Sequence, residues 1–254
     1  MASVETRPAL SILLVEDNEI NYKVAEAFLT RAGHRVTASF DGVAAIEAAG
    51  SWDFDIILMD IQMPDMDGVE ATRRIRALPH PRRAGVPILA LTANCAQEDV
   101  HRYLAAGMNG VIEKPLRRAS IDLALAPFLP RASNSAAGPA PMPGDTDLID
   151  ARRLALLADA IEAPKLAELY DLARRSIIET ADALTQEWCC RGSGDPARIA
   201  HRLAGVAANF GCIALAAVAA DIEADCRTGS DGRGQAARLK EIVSATLAAM
   251  PTGP

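Results

Sequence analysis

The sequence predicts an α/β unit built on a five-stranded parallel sheet, followed by an all-α bundle. Three observations carry this expectation. From Ser11 to Leu129 short apolar runs alternate with amphipathic stretches, the β-α repeat of a parallel sheet. Pro130 to Thr146 is rich in Pro, Ala, Ser and Gly, too poor in large apolar side chains to build a core. Beyond Asp147 Ala, Leu, Arg and Glu dominate at helical spacing.

The expected strands are Ile12 to Val15, Val36 to Phe40, Ile56 to Met59, Ile88 to Leu91, and Val111 with Ile112. The runs at Ile12, Ile56 and Ile88 are continuous rather than alternating, so these strands should be central and covered on both faces. Five helices are expected between and after the strands. In the second half, turn residues at Ala163-Pro164, Gly192 to Pro196 and Gly229 to Gly234 divide helices at about 148–161, 165–190, 196–210, 213–227 and 235–249. The resulting organisation is a disordered lead-in at 1–9, an α/β domain at 10–129, a linker at 130–146 and a helical domain at 147–250. A chain of 254 residues has room for two such domains.

Composition removes several function classes. With 33 acids against 26 bases the net charge is −7, so no general attraction to nucleic acid or an anionic membrane is expected. The second half is also acidic on balance and shows no recognition helix, which argues against a DNA-binding output. The run Ile213 to Ala220 is far short of the roughly 20 residues that span a bilayer, and Met1 to Pro8 lacks the features of a secretory signal. A cytoplasmic location without membrane insertion is the expectation. Five cysteines without a C-x-x-C pair are expected to be reduced thiols. The basic pairs Arg73-Arg74 and Arg82-Arg83 are expected on solvated faces.

Ligands of an open parallel sheet sit outside the carboxyl ends of its strands. The first strand runs into Glu16-Asp17, the third into Asp60, the fourth into Thr92, and the fifth into Lys114-Pro115. These side chains therefore converge on one rim. Three carboxylates gathered there repel one another unless a cation intervenes, and hard oxygen ligands favour Mg²⁺. A lysine ammonium and a threonine hydroxyl supply what the oxygens of a transferring phosphoryl group require. Asp60, on a central strand, is the natural nucleophile.

At these residues the chain closely resembles the receiver domain of two-component response regulators, especially receivers attached to hybrid histidine kinases. The segments are Leu14-Val15-Glu16-Asp17-Asn18, Met59-Asp60-Ile61-Gln62-Met63-Pro64-Asp65-Met66-Asp67-Gly68, Leu91-Thr92-Ala93-Asn94 and Glu113-Lys114-Pro115. The resemblance implies a flavodoxin-like fold, Asp60 as phosphoacceptor, and Mg²⁺ held by Glu16, Asp17, Asp60 and the Gln62 backbone carbonyl. It further implies Thr92 as switch hydroxyl, Lys114 on the phosphate, a cis peptide before Pro115, and slow self-dephosphorylation. One position departs: receivers usually carry Tyr or Phe three residues before the lysine, where this chain has Val111.

In the helical half, Ile199, Leu203, Val206 and Phe210 recur as one core-facing stripe. His201 lies roughly 200° from Ile199 around that helix, so its imidazole is expected to face solvent beside Ala204, Gly205 and Ala208. Gly205 costs roughly 1 kcal/mol relative to alanine in a helix, a cost that close backbone approach by a partner explains. An imidazole nitrogen can accept a phosphoryl group and pass it on. The segment His201 to Gly211 resembles the phosphotransfer-histidine (HPt) domain, implying a four-helix bundle and His201 as the phosphotransfer residue. Family members usually carry lysine where this chain has Ala204, with Arg202 or Arg198 as the substitutes at hand. His34, His80 and His101 are expected at surface or turn positions.

Together these readings imply a phosphorelay protein with a histidine kinase or hybrid kinase upstream and a response-regulator receiver downstream. No glycine-rich nucleotide box is visible, so phosphate must come from an external kinase, or the chain is the C-terminal part of a hybrid kinase. Two alternatives are a Mg²⁺-dependent phosphatase with an Asp nucleophile and an unphosphorylated interaction scaffold. The phosphatase reading is weakened because Gln62 stands where such hydrolases place a second acid.

Overall fold

The computed structural model describes residues 9–93, 95–129, 148–190, 195–228 and 235–251. The lead-in up to residue 8, the linker at 130–146 and the glycine turns at 192–194 and 229–234 lie outside the described residues, as do the side chains of Cys189 and Cys190. The chain divides at 139/140 into two compact units.

In the first unit β1 (Ser11–Val15), β2 (Arg35–Ser39), β3 (Ile56–Asp60), β4 (Ile88–Thr92) and β5 (Gly110–Glu113) form one parallel sheet in the order β2-β1-β3-β4-β5. The three continuous apolar runs occupy the central positions. Leu13, Val15, Ile57, Met59, Ile88 and Ala90 face one layer of the core, and Ile12, Leu14, Ile56, Leu58, Leu89 and Leu91 are buried on the opposite face, as period-two strands between two helical layers require. The helices are α1 (Glu19–Arg31), α2 (Gly42–Ser51), α3 (Gly68–Arg76), α4 (Pro81–Ala84), α5 (Gln97–Ala105) and α6 (Arg118–Leu125). The single turn α4, with proline at its start, is one more helix than the alternation of runs predicts, because four residues are too few to show a period.

Three of these helices begin on a side-chain cap just beyond a strand: Asn18 for α1, Asp41 for α2 and Asp67 for α3 accept backbone amides of the first turn. Such caps keep the strand-to-helix loops short at the carboxyl rim. Gly68 is required there by close approach, since a Cβ at this position would lie 2.1 Å from the Asp60 carbonyl oxygen.

Two surface expectations are corrected. His34 is buried, and its Nδ1 accepts the Leu10 amide at 3.3 Å, so it joins the start of β1 to the turn before β2. Arg83 is only half-exposed because its guanidinium donates to Asp53 and to the Gly50 carbonyl; Arg73, Arg74 and Arg82 are exposed as expected.

The second unit comprises α7 (Ala151–Ala160), α8 (Ala163–Cys190), α9 (Pro196–Asn209), α10 (Ile213–Arg227) and α11 (Ala236–Ala249), each within one turn of its expected span. Helix α9 packs against both α8 and α10, and α11 against α8 and α10. Gly211, at φ 71°, turns α9 into α10, and its carbonyl accepts the Asp150 amide at 2.8 Å. Buried Arg153 donates to the Asn209 carbonyl and side-chain oxygen, both at 2.9 Å, which ties α7 to the end of α9. Among the described residues no helix is long and apolar enough to cross a membrane.

Candidate functional site

The rim of the sheet assembles the predicted residues. Glu16 follows β1, Asp60 ends β3, Thr92 ends β4 and Lys114 follows β5, and all but Asp17 are nearly sealed from solvent. The Lys114 ammonium lies 2.7 Å from Glu16 Oε2 and 2.8 Å from Asp60 Oδ2. The remaining carboxylate oxygens are also held: Glu16 Oε1 accepts the Asn21 side-chain amide at 3.0 Å, and Asp60 Oδ1 accepts the Gln62 backbone amide at 3.1 Å. The Lys114 amide donates to the Thr92 carbonyl at 2.8 Å, fixing the last residue of the rim to β4. The Lys114-Pro115 peptide is cis, as expected.

The electrostatics follow from burial. Desolvation, and then the neighbouring Asp60 charge, push the Glu16 carboxyl above the ordinary carboxylate range against the pull of Lys114. Burial alone would lower the Lys114 pKa, but Asp60 and Glu16 outweigh it and hold the ammonium above the ordinary lysine range. Carboxylate oxygens of Glu16, Asp17 and Asp60 lie within 4.8 Å of one another. Three carboxyl groups gathered beside one ammonium form an all-oxygen donor set that fits a hard divalent cation.

Thr92 is buried, with its Oγ1 3.5 Å from the hydroxyl of Tyr103, itself buried on α5. Sequence reasoning did not single out Tyr103. Val111 is half-buried against the apolar core.

The second unit corrects the expectation for His201. Its imidazole is not on a bare outer face; the residue is 8% exposed. The stripe reading failed because α9 is covered on two sides, and Ala200, Ala204 and Ala207 are buried along with Leu203 and Val206. Small side chains, read from sequence as an open face, instead admit close approach of the neighbouring helix. From α10, Glu223 places Oε2 3.0 Å from His201 Nδ1, while its Oε1 receives Arg227 at 2.6 Å. A carboxylate only accepts, so Nδ1 carries a proton, and in the neutral ring the lone pair is on Nε2, which has no partner among the described residues. Arg198 and Arg202 lie on the exposed side of α9; the cation joined to this cluster is Arg227. Glu223 was legible in principle, as an acid one residue beyond Ile222 on the inward stripe of Leu215, Val218, Ala219 and Ile222.

The parallel sheet with an acid-and-lysine rim defines the first unit: residues 12–126 belong to the response regulator receiver domain family. The helices that follow are an Hpt domain, matched over residues 166–249, so the chain is a receiver joined to an Hpt domain. The sensor histidine kinase AruS of Pseudomonas aeruginosa is 34% identical over 239 residues, 92% of this chain and 23% of that protein. The aerobic respiration control sensor protein ArcB of Escherichia coli is 43% identical over 109 residues, 43% of this chain and 14% of that protein. The chain thus spans less than a quarter of the length of either relative. Among solved structures, the receiver domain of a sensor histidine kinase from Pseudomonas aeruginosa, with magnesium coordinated in its active-site cleft, is 45% identical and covers 48% of this chain and 98% of its own, at a TM-score of 0.44.

Proposed function

We propose that the chain is a phosphorelay intermediate in which Asp60 and His201 each carry the phosphoryl group in turn. The observation that carries this reading is the Asp60 carboxylate, set between the Lys114 ammonium and the Glu16-Asp17 pair. An Asp60 oxygen attacks the phosphorus of a phosphohistidine or a small acyl phosphate; the new P–O bond forms as the bond to the donor nitrogen or oxygen breaks. Lys114 sits where charge gathers on the phosphoryl oxygens, and Thr92 supplies a hydroxyl at the same rim. Glu16, Asp17, Asp60 and the Gln62 backbone carbonyl would hold Mg²⁺, and that ion would supply positive charge against the phosphoryl oxygens. In the second unit, Nε2 of His201 is the nucleophile. Glu223 holds the Nδ1 proton and stabilises the positive ring that forms as the P–N bond is made and the P–O bond to the donor aspartyl group breaks, leaving its carboxylate. The partners are a histidine kinase or hybrid kinase as donor and a response-regulator receiver as acceptor.

Radiolabelled acetyl phosphate with Mg²⁺, given to wild type, Asp60→Asn and His201→Gln, tests this. Acyl phosphates fail in alkali and phosphoimidazoles in acid. Alkali-labile label that Asp60→Asn abolishes, with alkali-stable label lost in both variants, is expected; no label in wild type overturns the reading.

A further inference from the structure

We propose that Asn21 is a positioning residue that holds the Glu16 carboxylate in the pose in which the rim takes a divalent cation. The inference rests on the receiver reading above and deepens it, adding a residue of α1 to the ion site. Asn21 is the third residue of α1, and only residues 16–18 separate that helix from β1, so the chain turns back on itself at the rim. The Asn18 side chain accepts the Ile20 and Asn21 backbone amides at 3.0 and 3.2 Å, which fixes where Asn21 starts. Its side-chain amide then reaches back to Glu16 Oε1 at 3.0 Å. A carboxylate only accepts, so the amide nitrogen is the atom that faces it.

Two features set this contact apart from ordinary helix packing. Asn21 is 7% exposed and Glu16 3%, whereas the other buried residues of α1 are Ile20, Tyr22, Val24, Ala25, Phe28 and Leu29. Asparagine is a poor helix former and its amide is costly to bury, so its place in that inward row depends on a bonded partner. The second feature is the length of the acid. Glutamate is among the side chains with most rotamer freedom to lose. Asp60 is steadied by the Gln62 backbone amide at 3.1 Å as well as by Lys114; Glu16 takes its second bond from a side chain instead. Lys114 pins Oε2 at 2.7 Å, which fixes one oxygen and leaves the carboxylate plane free to turn. Asn21 on Oε1 fixes the plane. Partners that orient a metal ligand in this way typically change metal affinity by about 10–100-fold when they are removed.

Titration of the full chain with Mn²⁺, which accepts the same oxygen ligands as Mg²⁺, tests the proposal. Free Mn²⁺ is read by electron paramagnetic resonance, and the rim site is defined by competition with Mg²⁺ and by loss in Asp17→Asn. Asn21→Ala is expected to weaken that binding about tenfold or more. Alanine is the better helix former, so a weakened α1 does not account for the loss. Asn21→Leu, which keeps the bulk without the donor, should lose as much; Asn21→Gln, which keeps an amide donor, should retain more of the affinity. Wild-type affinity in Asn21→Ala or Asn21→Leu, or a loss in Asn21→Gln equal to that of alanine, overturns the positioning role. No Mn²⁺ bound at the rim of wild type overturns the receiver reading itself, and the positioning role with it.

Discussion

Replacing Lys114 with methionine keeps an unbranched stem and removes the ammonium that bridges Glu16 and Asp60 at 2.7 and 2.8 Å. Each of those contacts is worth about 6 kcal/mol at an effective dielectric constant near 20, most of it offset by the cost of drying the ions. Without the ammonium, carboxylates within 4.8 Å of each other repel by about 3.5 kcal/mol. Glu16, already pushed above its ordinary range, then takes a proton. This escape places the expected destabilisation near 3 kcal/mol, the low end of the range for breaking a buried pair. The sign of the pH dependence follows. Above the ordinary carboxylate range the unfolded chain leaves Glu16 deprotonated while the folded variant holds a proton, so the folded state gains stability as pH falls. The deficit should shrink as pH falls toward the ordinary carboxylate range, by at most about 1.4 kcal/mol per pH unit, and millimolar Mg²⁺ should recover part of it. Native-state hydrogen exchange on peptides from β3 and β4 measures it. A deficit that neither pH nor Mg²⁺ changes would refute the charge argument.

Two further perturbations probe the second unit and the backbone of the first. Glu223→Ala removes the acceptor of the His201 Nδ1 proton and should slow phosphoryl acceptance from a phosphorylated receiver about tenfold, the equivalent of one hydrogen bond to a charged group; Glu223→Gln, which can still accept that proton's bond, should lose less, and quench-flow transfer assays separate the two. Gly68→Ala puts a methyl group 2.1 Å from the Asp60 carbonyl oxygen and should cost about 1–3 kcal/mol by overpacking, read from urea unfolding, with weakened Mg²⁺ binding as the rim shifts.

What was legible in the sequence was whatever a local pattern encodes. Ile12, Ile56 and Ile88 head unbroken apolar runs, and those runs lie at the centre of the sheet because only strands covered on both faces can be apolar throughout. Glu16, Asp60 and Lys114 follow such runs directly, so placing the strands placed them on one rim. The sequence was silent where a contact joins elements through small residues. His201 was read as outward-facing because it lies roughly 200° from Ile199 around the helix, beside only Ala204, Gly205 and Ala208, yet Ala200, Ala204 and Ala207 are buried and α10 lies against α9. Tyr103 was passed over for a related reason: a tyrosine on an amphipathic helix is ordinary core, and only the three-dimensional position of Thr92 gives its hydroxyl meaning. Arg83 looked like a surface cation until its acceptors, Asp53 and the Gly50 carbonyl, came from a loop and a helix far away in sequence.

The order of strands in the sheet bears on how the rim comes into being as the chain is made. Glu16 and Asp60 belong to neighbouring strands, β1 and β3, in the middle of the sheet, whereas Lys114 follows β5 at its edge. A chain synthesised from its N-terminus thus has both buried acids in hand before their ammonium exists. Because the rim pairs both acids with Lys114, the site is complete only when the edge strand is in place. The paired rim is in this sense also a certificate that the first unit has finished folding.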